Sequence, residues 1–225
     1  MRKLRALGDS KVRAAMARFG IRAKKAYGIS TPKLKQLARE IGTSHRLARQ
    51  LWSSGIHEAR ILAGVVDDPA QVTAQQMERW ARDFHSWDVV DGSCCHLFVF
   101  AAPAWQKAIE WTRCEEEYVK RAGFALMAYL ALHDKKAPDT KFARLLPLIR
   151  RHATDERNFV KKAVNWALRQ IGKRNARLNR LAIRTARQIG SADSGAARWI
   201  GSDALRELTS PAVQRRLRAR LRRRA

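Results

Sequence analysis

Apolar residues recur at three- and four-residue spacing through almost the whole of the 225-residue chain, and over no useful length do they alternate with period two. That pattern predicts an all-α fold. Four of the helices carry their own punctuation. TPKLKQLAREIG (31–42) has Thr31 as cap, Pro32 at the first helical position and Gly42 as terminator, and TSHRLARQLWSSG (43–55) repeats the order of cap, apolar stripe and closing glycine. TAQQMERWARDF (73–84) opens with Thr73 and Gln76 at capping-box spacing, and SPAVQRRLRARLRRR (210–224) pairs a serine cap with proline. Between these, the periodicity predicts helices near 11–26, 56–66, 87–101, 104–112, 115–132, 139–152, 156–172, 175–189 and 196–208.

Helices joined by short links in pairs of roughly 35–45 residues match the scale of HEAT or armadillo units. The pairs share no visible sequence, so helix length and number carry the solenoid reading, and a globular bundle fits the same periodicity. A HEAT-like solenoid would offer a long concave basic face, which suits a rod-shaped polyanion. The expected organisation is one domain over 1–209 and a basic extension over 210–225.

Charge sharpens that picture. The formal net charge is +26, from 46 Lys+Arg against 20 Asp+Glu, which implies a polyanionic partner, with nucleic acid ahead of a membrane surface. The surplus is uneven: residues 1–50 carry 14 basic and 2 acidic side chains, residues 51–100 carry 3 and 7, and residues 151–225 carry 20 and 5. A purely electrostatic nucleic-acid binder has no need of that acidic gap.

Three cysteines, two of them adjacent, make a poor disulfide framework and fit a reducing cytoplasm. The N-terminal stretch lacks the continuous apolar run of a secretory signal, and its Arg-rich character would suit a transit peptide except that similar basic helices continue far downstream. The longest uncharged run, AGFALMAYLAL (122–132), is too short to cross a bilayer.

The acidic stretch reads FHSWDVVDGSCCH (84–96). With Ser86 as cap, Trp87 is the first helical residue and Asp88 meets the positive end of the helix dipole. Asp91 follows Trp87 by four residues, so ring and carboxylate share a face. Trp87 then reads either as core or as site, Asp88 as a cap, and Asp91, past the first turn and beside an aromatic, as the candidate functional carboxylate.

In EEEYVKRAGFALMAYLALHD (115–134) the helix is apolar nearly all round from Tyr118 on. Arg121 on that helix needs a partner (a carboxylate such as Asp91, or a bound phosphate) unless it snorkels to the surface. In NFVKKAVNWALRQIGKR (158–174), Trp166 falls at the border between the apolar stripe and Lys162 and Arg169, which suits either rim packing or a stacking contact. Cys94, Cys95 and His96 are contiguous, poor geometry for a metal, and no dinucleotide, Walker, GxSxG or HExxH pattern occurs, so no metal or cofactor is expected.

YGISTPKLKQLARE (27–40), FHSWDVVDGSC (84–94), EYVKRAGFALMAYL (117–130) and NFVKKAVNWALRQIGK (158–173), in that order, resemble the AlkD-type DNA alkylation repair glycosylases. The likeness spans roughly 11–205, and its most specific parts are S-W-D-x-V-D and K-A-x-x-W-x-L-R. It implies a HEAT-like solenoid that excises cationic alkylated purines, N3-methyladenine and N7-methylguanine, from double-stranded DNA. It places the catalytic carboxylate at Asp91, an aromatic pair at Trp87 and Trp166, and an active-site arginine at Arg121. Lys120, Lys161, Lys162 and Arg169 are then expected on the DNA backbone, together with an N-terminal aromatic, either Phe19 or Tyr27.

The chemistry is consistent with the residue types. An N3- or N7-alkylated purine already carries positive charge and leaves without a general acid. One ionised carboxylate can then stabilise the oxocarbenium-like sugar and position a water. The competing readings are a non-catalytic HEAT-repeat protein that binds DNA or RNA and a helical scaffold for an acidic protein. The expected state is a monomer acting in the cytoplasm. The Arg-rich tail, 215–224, reads as a solvated helix or as a DNA-contacting arm.

Overall fold

The computed structural model describes residues 1–222, and the chain divides into two compact units, Met1–Ala104 and Trp105–Ala225. The described part of the extension belongs to the second unit. Residues 223–225 of the extension lie outside the described residues. Every regular element among the described residues is helical, as the periodicity predicts.

In the first unit the helices are α1 (Arg2–Ala6), α2 (Ser10–Met16), α3 (Thr31–Ile41), α4 (His45–Ser53), α5 (His57–Val66), α6 (Ala74–Arg82) and α7 (Trp87–His96). Its core is aromatic. Trp52 of α4 and Trp80 of α6 stack at 4.0 Å with planes 5° apart, and Phe84 meets Trp52 edge-on at 6.1 Å. The Trp52 indole N–H, which burial would otherwise leave unpaired, donates to Asp83 at 2.8 Å. Leu62, Val66, Met77, Val89 and Val90 complete the packing at 1% exposure or less.

The second unit contains α8 (Ala104–Glu110), α9 (Glu117–His133), α10 (Asp139–Ala143), α11 (Leu146–Arg151), α12 (Asn158–Gly172), α13 (Ala176–Gly190), α14 (Gly195–Leu208) and α15 (Pro211–Arg222). As the sequence suggests, α9 is its buried centre: Phe124, Ala125, Leu126, Met127 and Ala128 are wholly excluded from solvent. It packs along α12, whose Val160, Val164, Ala167 and Ile171 are equally buried. Two glycines set how closely the helices approach. A Cβ on Gly123 would lie 2.9 Å from the Thr112 nitrogen, and one on Gly201 would lie 2.6 Å from Cα of Gly190.

The departures from expectation have local causes. The helix expected over 11–26 ends at Met16, and after one 3-10 turn Gly20 adopts φ 74° and the chain runs irregularly to α3. Ser30, not Thr31, occupies the cap position of α3. Ser44, not Thr43, caps α4 by accepting from the Leu47 N–H at 3.3 Å. The stretch 139–152 is broken in two because Pro147 has no N–H and its ring would clash with the preceding turn. Only half of the expected capping box at Thr73 forms: its hydroxyl accepts from the Gln76 N–H at 3.2 Å, while the Gln76 side chain donates to buried Asp67 at 2.6 Å. Helix α7 ends at His96, and Phe98–Phe100 continue as a 3-10 turn.

The tail is no frayed arm over its described length. Val213 and Leu217 of α15 are buried, Gln214 donates to the Leu208 carbonyl at 2.6 Å, and Arg220 donates to the carbonyls of Lys173 and Arg174 at 3.1 and 3.2 Å.

The α13–α14 contact gives a direct test. Gly201→Val forces a branched side chain into space held by the backbone of α13, and overpacking of this kind costs roughly 1–3 kcal/mol. Urea denaturation should show the midpoint lowered, with Gly201→Ala intermediate between wild type and Gly201→Val.

Candidate active site

Trp87 and Asp91 stand one turn apart on α7, and both are half-buried, so neither is sealed in the core. Ser86 holds the cap position as expected, yet its hydroxyl donates to the Asp88 carboxylate and accepts from no helix N–H. Trp87 is fixed by its nitrogen edge: Nε1 donates to the carbonyl of Phe19 at 2.9 Å. With the polar edge so occupied, the solvent-accessible part of the indole is apolar ring. The same bond distinguishes the two N-terminal aromatics. Phe19 meets Trp87 through its backbone carbonyl and is 67% exposed, whereas Tyr27 is half-buried and held through its backbone N–H.

Asp88, read from sequence as a cap, does accept from the Val89 N–H at 3.1 Å, but its main partner is His57, whose Nε2 donates to Oδ2 at 2.9 Å. Burial pushes the Asp88 carboxyl up, and the hydrogen bond and field of His57, with the Ser86 hydroxyl and the Val89 N–H, outweigh it and hold the carboxyl below its usual range. His57 is itself 2% exposed and lies 3.2 Å from His85, which lies 3.2 Å from the Arg60 guanidinium. The polar groups thus run in series from Arg60 through His85 and His57 to Asp88, with the Asp83 carbonyl also 3.2 Å from His85 Nδ1, and the tautomers decide which ring nitrogens donate. Burial and the neighbouring cations lower the His85 pKa, in keeping with a neutral ring there.

These histidines were not picked out by sequence reasoning. His57 opens an apolar helix, HEARILAG, and a titratable ring on a buried face was the signal available.

The second unit holds the other two predicted residues on facing helices. Arg121 does not snorkel: it is 6% exposed, and Nη1 donates to the Phe159 carbonyl at 2.8 Å. Trp166 is half-buried, at the border the helical wheel gives it, and Tyr129 of α9 meets it edge-on at 4.8 Å. Tyr129 is a further residue that sequence reasoning passed over, although a polar-tipped aromatic in so apolar a helix marks it.

The expected backbone-binding cations divide. Lys162 is exposed, and the Lys161 ammonium sits 5.7 Å from the Trp199 ring centre. Lys120 and Arg169 are paired within the fold. Lys120 is buried and pairs with Asp155 at 3.1 Å; Arg169 pairs with Glu207 of α14 and lies 3.7 Å from Asp203. Both are already engaged by carboxylates that lie more than thirty residues along the chain, which helical periodicity does not reveal.

Among the described residues no cluster of three His, Cys, Asp or Glu could hold a metal, and no helix is long and apolar enough to cross a membrane.

The Lys120–Asp155–Arg157 group predicts a pH dependence. Burial raises the Asp155 pKa, but hydrogen bonds from Arg157 and Lys120 prevail and take it from 3.8 to about 2. A lowered folded pKa gives stability that is present above the unfolded value and lost as pH falls through the folded one. Asp155→Asn should therefore melt below wild type at neutral pH, and thermal scans should show the gap closing between about pH 4 and pH 2.

A family model described as "DNA alkylation repair enzyme" matches residues 1–208. No curated protein matches the chain. Among solved structures, one described as "A new family of proteins related to the HEAT-like repeat DNA glycosylases with affinity for branched DNA structures" superposes with a TM-score of 0.75 at 21% identity. That alignment covers 90% of this chain and 91% of the other. The similarity establishes the HEAT-like repeat fold that the helix count and length suggested.

Proposed function

Since the chain belongs to the DNA alkylation repair enzyme family, we propose that it hydrolyses the N-glycosidic bond of cationic alkylated purines in double-stranded DNA, with Asp91 as the essential carboxylate. DNA repair and DNA binding come with the family and fold; the substrate and the mechanism are our reading. The observation that carries it is the shared face of α7, where a carboxylate and an indole fixed by the Phe19 carbonyl both reach solvent.

In this mechanism the alkylated base leaves as a neutral purine, so no proton need be delivered to it. Positive charge passes to the deoxyribose as the bond breaks. Asp91, ionised, opposes that charge and aligns a water for attack at the anomeric carbon, which regenerates a neutral sugar and releases a proton. The face of Trp87 favours a cationic base or sugar by its quadrupole. His57 and Asp88 do not touch substrate in this scheme; they fix the start of α7. Arg121 and Trp166 retain the roles that the resemblance gives them, Trp166 as one of the aromatic pair and Arg121 as the active-site arginine. The enzyme acts as a monomer, with the surplus of basic side chains supplying affinity for duplex DNA.

The solved relative's described affinity for branched DNA favours a second reading, a non-catalytic DNA binder. The two part on one assay. Wild type incubated with methylated duplex should release free N7-methylguanine or N3-methyladenine, measured by chromatography, and Asp91→Asn should reduce release by about two orders of magnitude or more, the scale of one lost electrostatic contact to a transition state. Duplex affinity should change little in that variant. Binding by wild type without base release would establish the second reading.

A further inference from the structure

The second unit carries a cleft of about 880 Å³ that the proposed reaction does not use. It lies where α15 closes over the C-terminal ends of α9 and α12, and of its lining only Arg216, Leu217 and Arg220 fall beyond the residues that the family model matches. That volume falls within the range of small-ligand sites, roughly 300–1,000 Å³.

The walls have three chemical characters. The floor is aliphatic: Leu132, Ala137, Pro138, Ala176 and Leu217 line it, and Leu132 is one of the few large apolar side chains with substantial exposure, at 38%. The rim is cationic, with Lys135, Arg174, Arg216 and Arg220. Some of that charge has structural work: Arg174 donates to the carbonyls of Ala131 and Asp134 at 2.8 and 2.9 Å, and Arg220 caps α12. Arg174 also sits 3.9 Å from the centre of the Phe142 ring, and both guanidiniums line the cleft. Lys135 and Arg216 form no ion pair with a carboxylate among the described residues. The Lys135 ammonium is pushed below its ordinary pKa by desolvation and by Arg174 and Arg220, so a bound anion would relieve a repulsion already present. The third character is hydrogen bonding. Gln170 lines the cleft with an amide that can read a donor–acceptor edge, and Asp139 is held in place by the Asn175 amide at 2.8 Å.

An anion site alone needs no aliphatic floor, and an apolar pocket alone needs no crowd of cations. A ligand that matches all three features has a flat apolar face, a polar edge and a phosphate. We propose that this cleft binds a nucleotide 5′-phosphate, with the phosphate held by Lys135 and Arg216, the base against Leu132 and Leu217, and its edge toward Gln170. Guanidinium and ammonium groups suit phosphate oxygens. The nucleotide is either a free monophosphate or the phosphorylated end of a DNA strand.

Calorimetric titration of the full chain distinguishes these. Deoxyadenosine 5′-monophosphate should bind at least about tenfold more tightly than deoxyadenosine or inorganic phosphate, since each probe lacks one half of the recognition. Lys135→Ala with Arg216→Ala should weaken binding about tenfold or more, while Asp91→Asn leaves it unchanged, which keeps this site independent of base excision. Lys135 and Arg216 are exposed, so the fold should survive their truncation, and circular dichroism verifies it. As a second variant, Leu132→Asp should abolish the preference for the nucleotide over inorganic phosphate. A 5′-phosphorylated single strand binding more tightly than its unphosphorylated twin, with sensitivity to the double variant, assigns the site to a DNA end; response to the monophosphate alone assigns it to free nucleotide. Equal affinity for inorganic phosphate and the nucleotide, or indifference of both to the double variant, overturns the proposal.

Discussion

The first turn of α5 is the constraint on which the rest of the first unit depends. Glu58 is 1% exposed, and its carboxylate accepts from the backbone N–H groups of Tyr27, Gly28 and Ile29 at 2.9, 2.7 and 3.3 Å. A buried carboxylate without such donors would cost far more than the fold could carry, so the irregular loop and the glutamate require each other. Gly28 makes the arrangement sterically possible: at φ 78°, a Cβ would lie 2.2 Å from the Asp9 carbonyl oxygen. The adjacent His57 turns the other way and holds Asp88 at the start of α7. One helical turn therefore secures both the segment that follows Phe19 and the helix that bears Trp87 and Asp91.

Acidic side chains are scarce, and the structure uses many of them internally. Asp83 pairs with Arg60, Asp155 with Lys120 and Arg157, and Glu207 with Arg169 and Lys173. Carboxylates used in this way leave basic side chains in large excess over acidic ones. The net charge of +26 is thus carried by side chains with little structural work, such as Lys162, and these are the ones suited to a polyanion. The acidic gap around residues 51–100 is largely structural, with Glu58, Asp67 and Asp88 all engaged by hydrogen bonds, and only part of it belongs to the site.

How much of this was legible in sequence follows from the range of the interactions. The helices, the buried character of α9, the shared face of Trp87 and Asp91 and the border position of Trp166 all depend on residues within a turn or two, and periodicity encodes them. Cap positions slipped by one residue at Thr31 and Thr43 because a serine stood beside each turn. Lys120 and Arg169 read as outward cations because their partners, Asp155 and Glu207, come from another part of the chain. The same holds for the His57–Asp88 bond, which spans 31 positions. No local pattern announces it.

The stacked pair at the centre of the first unit has an optical consequence. Parallel indoles 4.0 Å apart share their excited states, so Trp52 and Trp80 form one chromophore whose near-ultraviolet dichroism exists only while α4 and α6 are packed together. In the second unit Trp105 and Trp166 meet Phe142 and Tyr129 edge-on instead. The molecule thus carries an intrinsic reporter confined to one body, by which the melting of that half can be watched without a label.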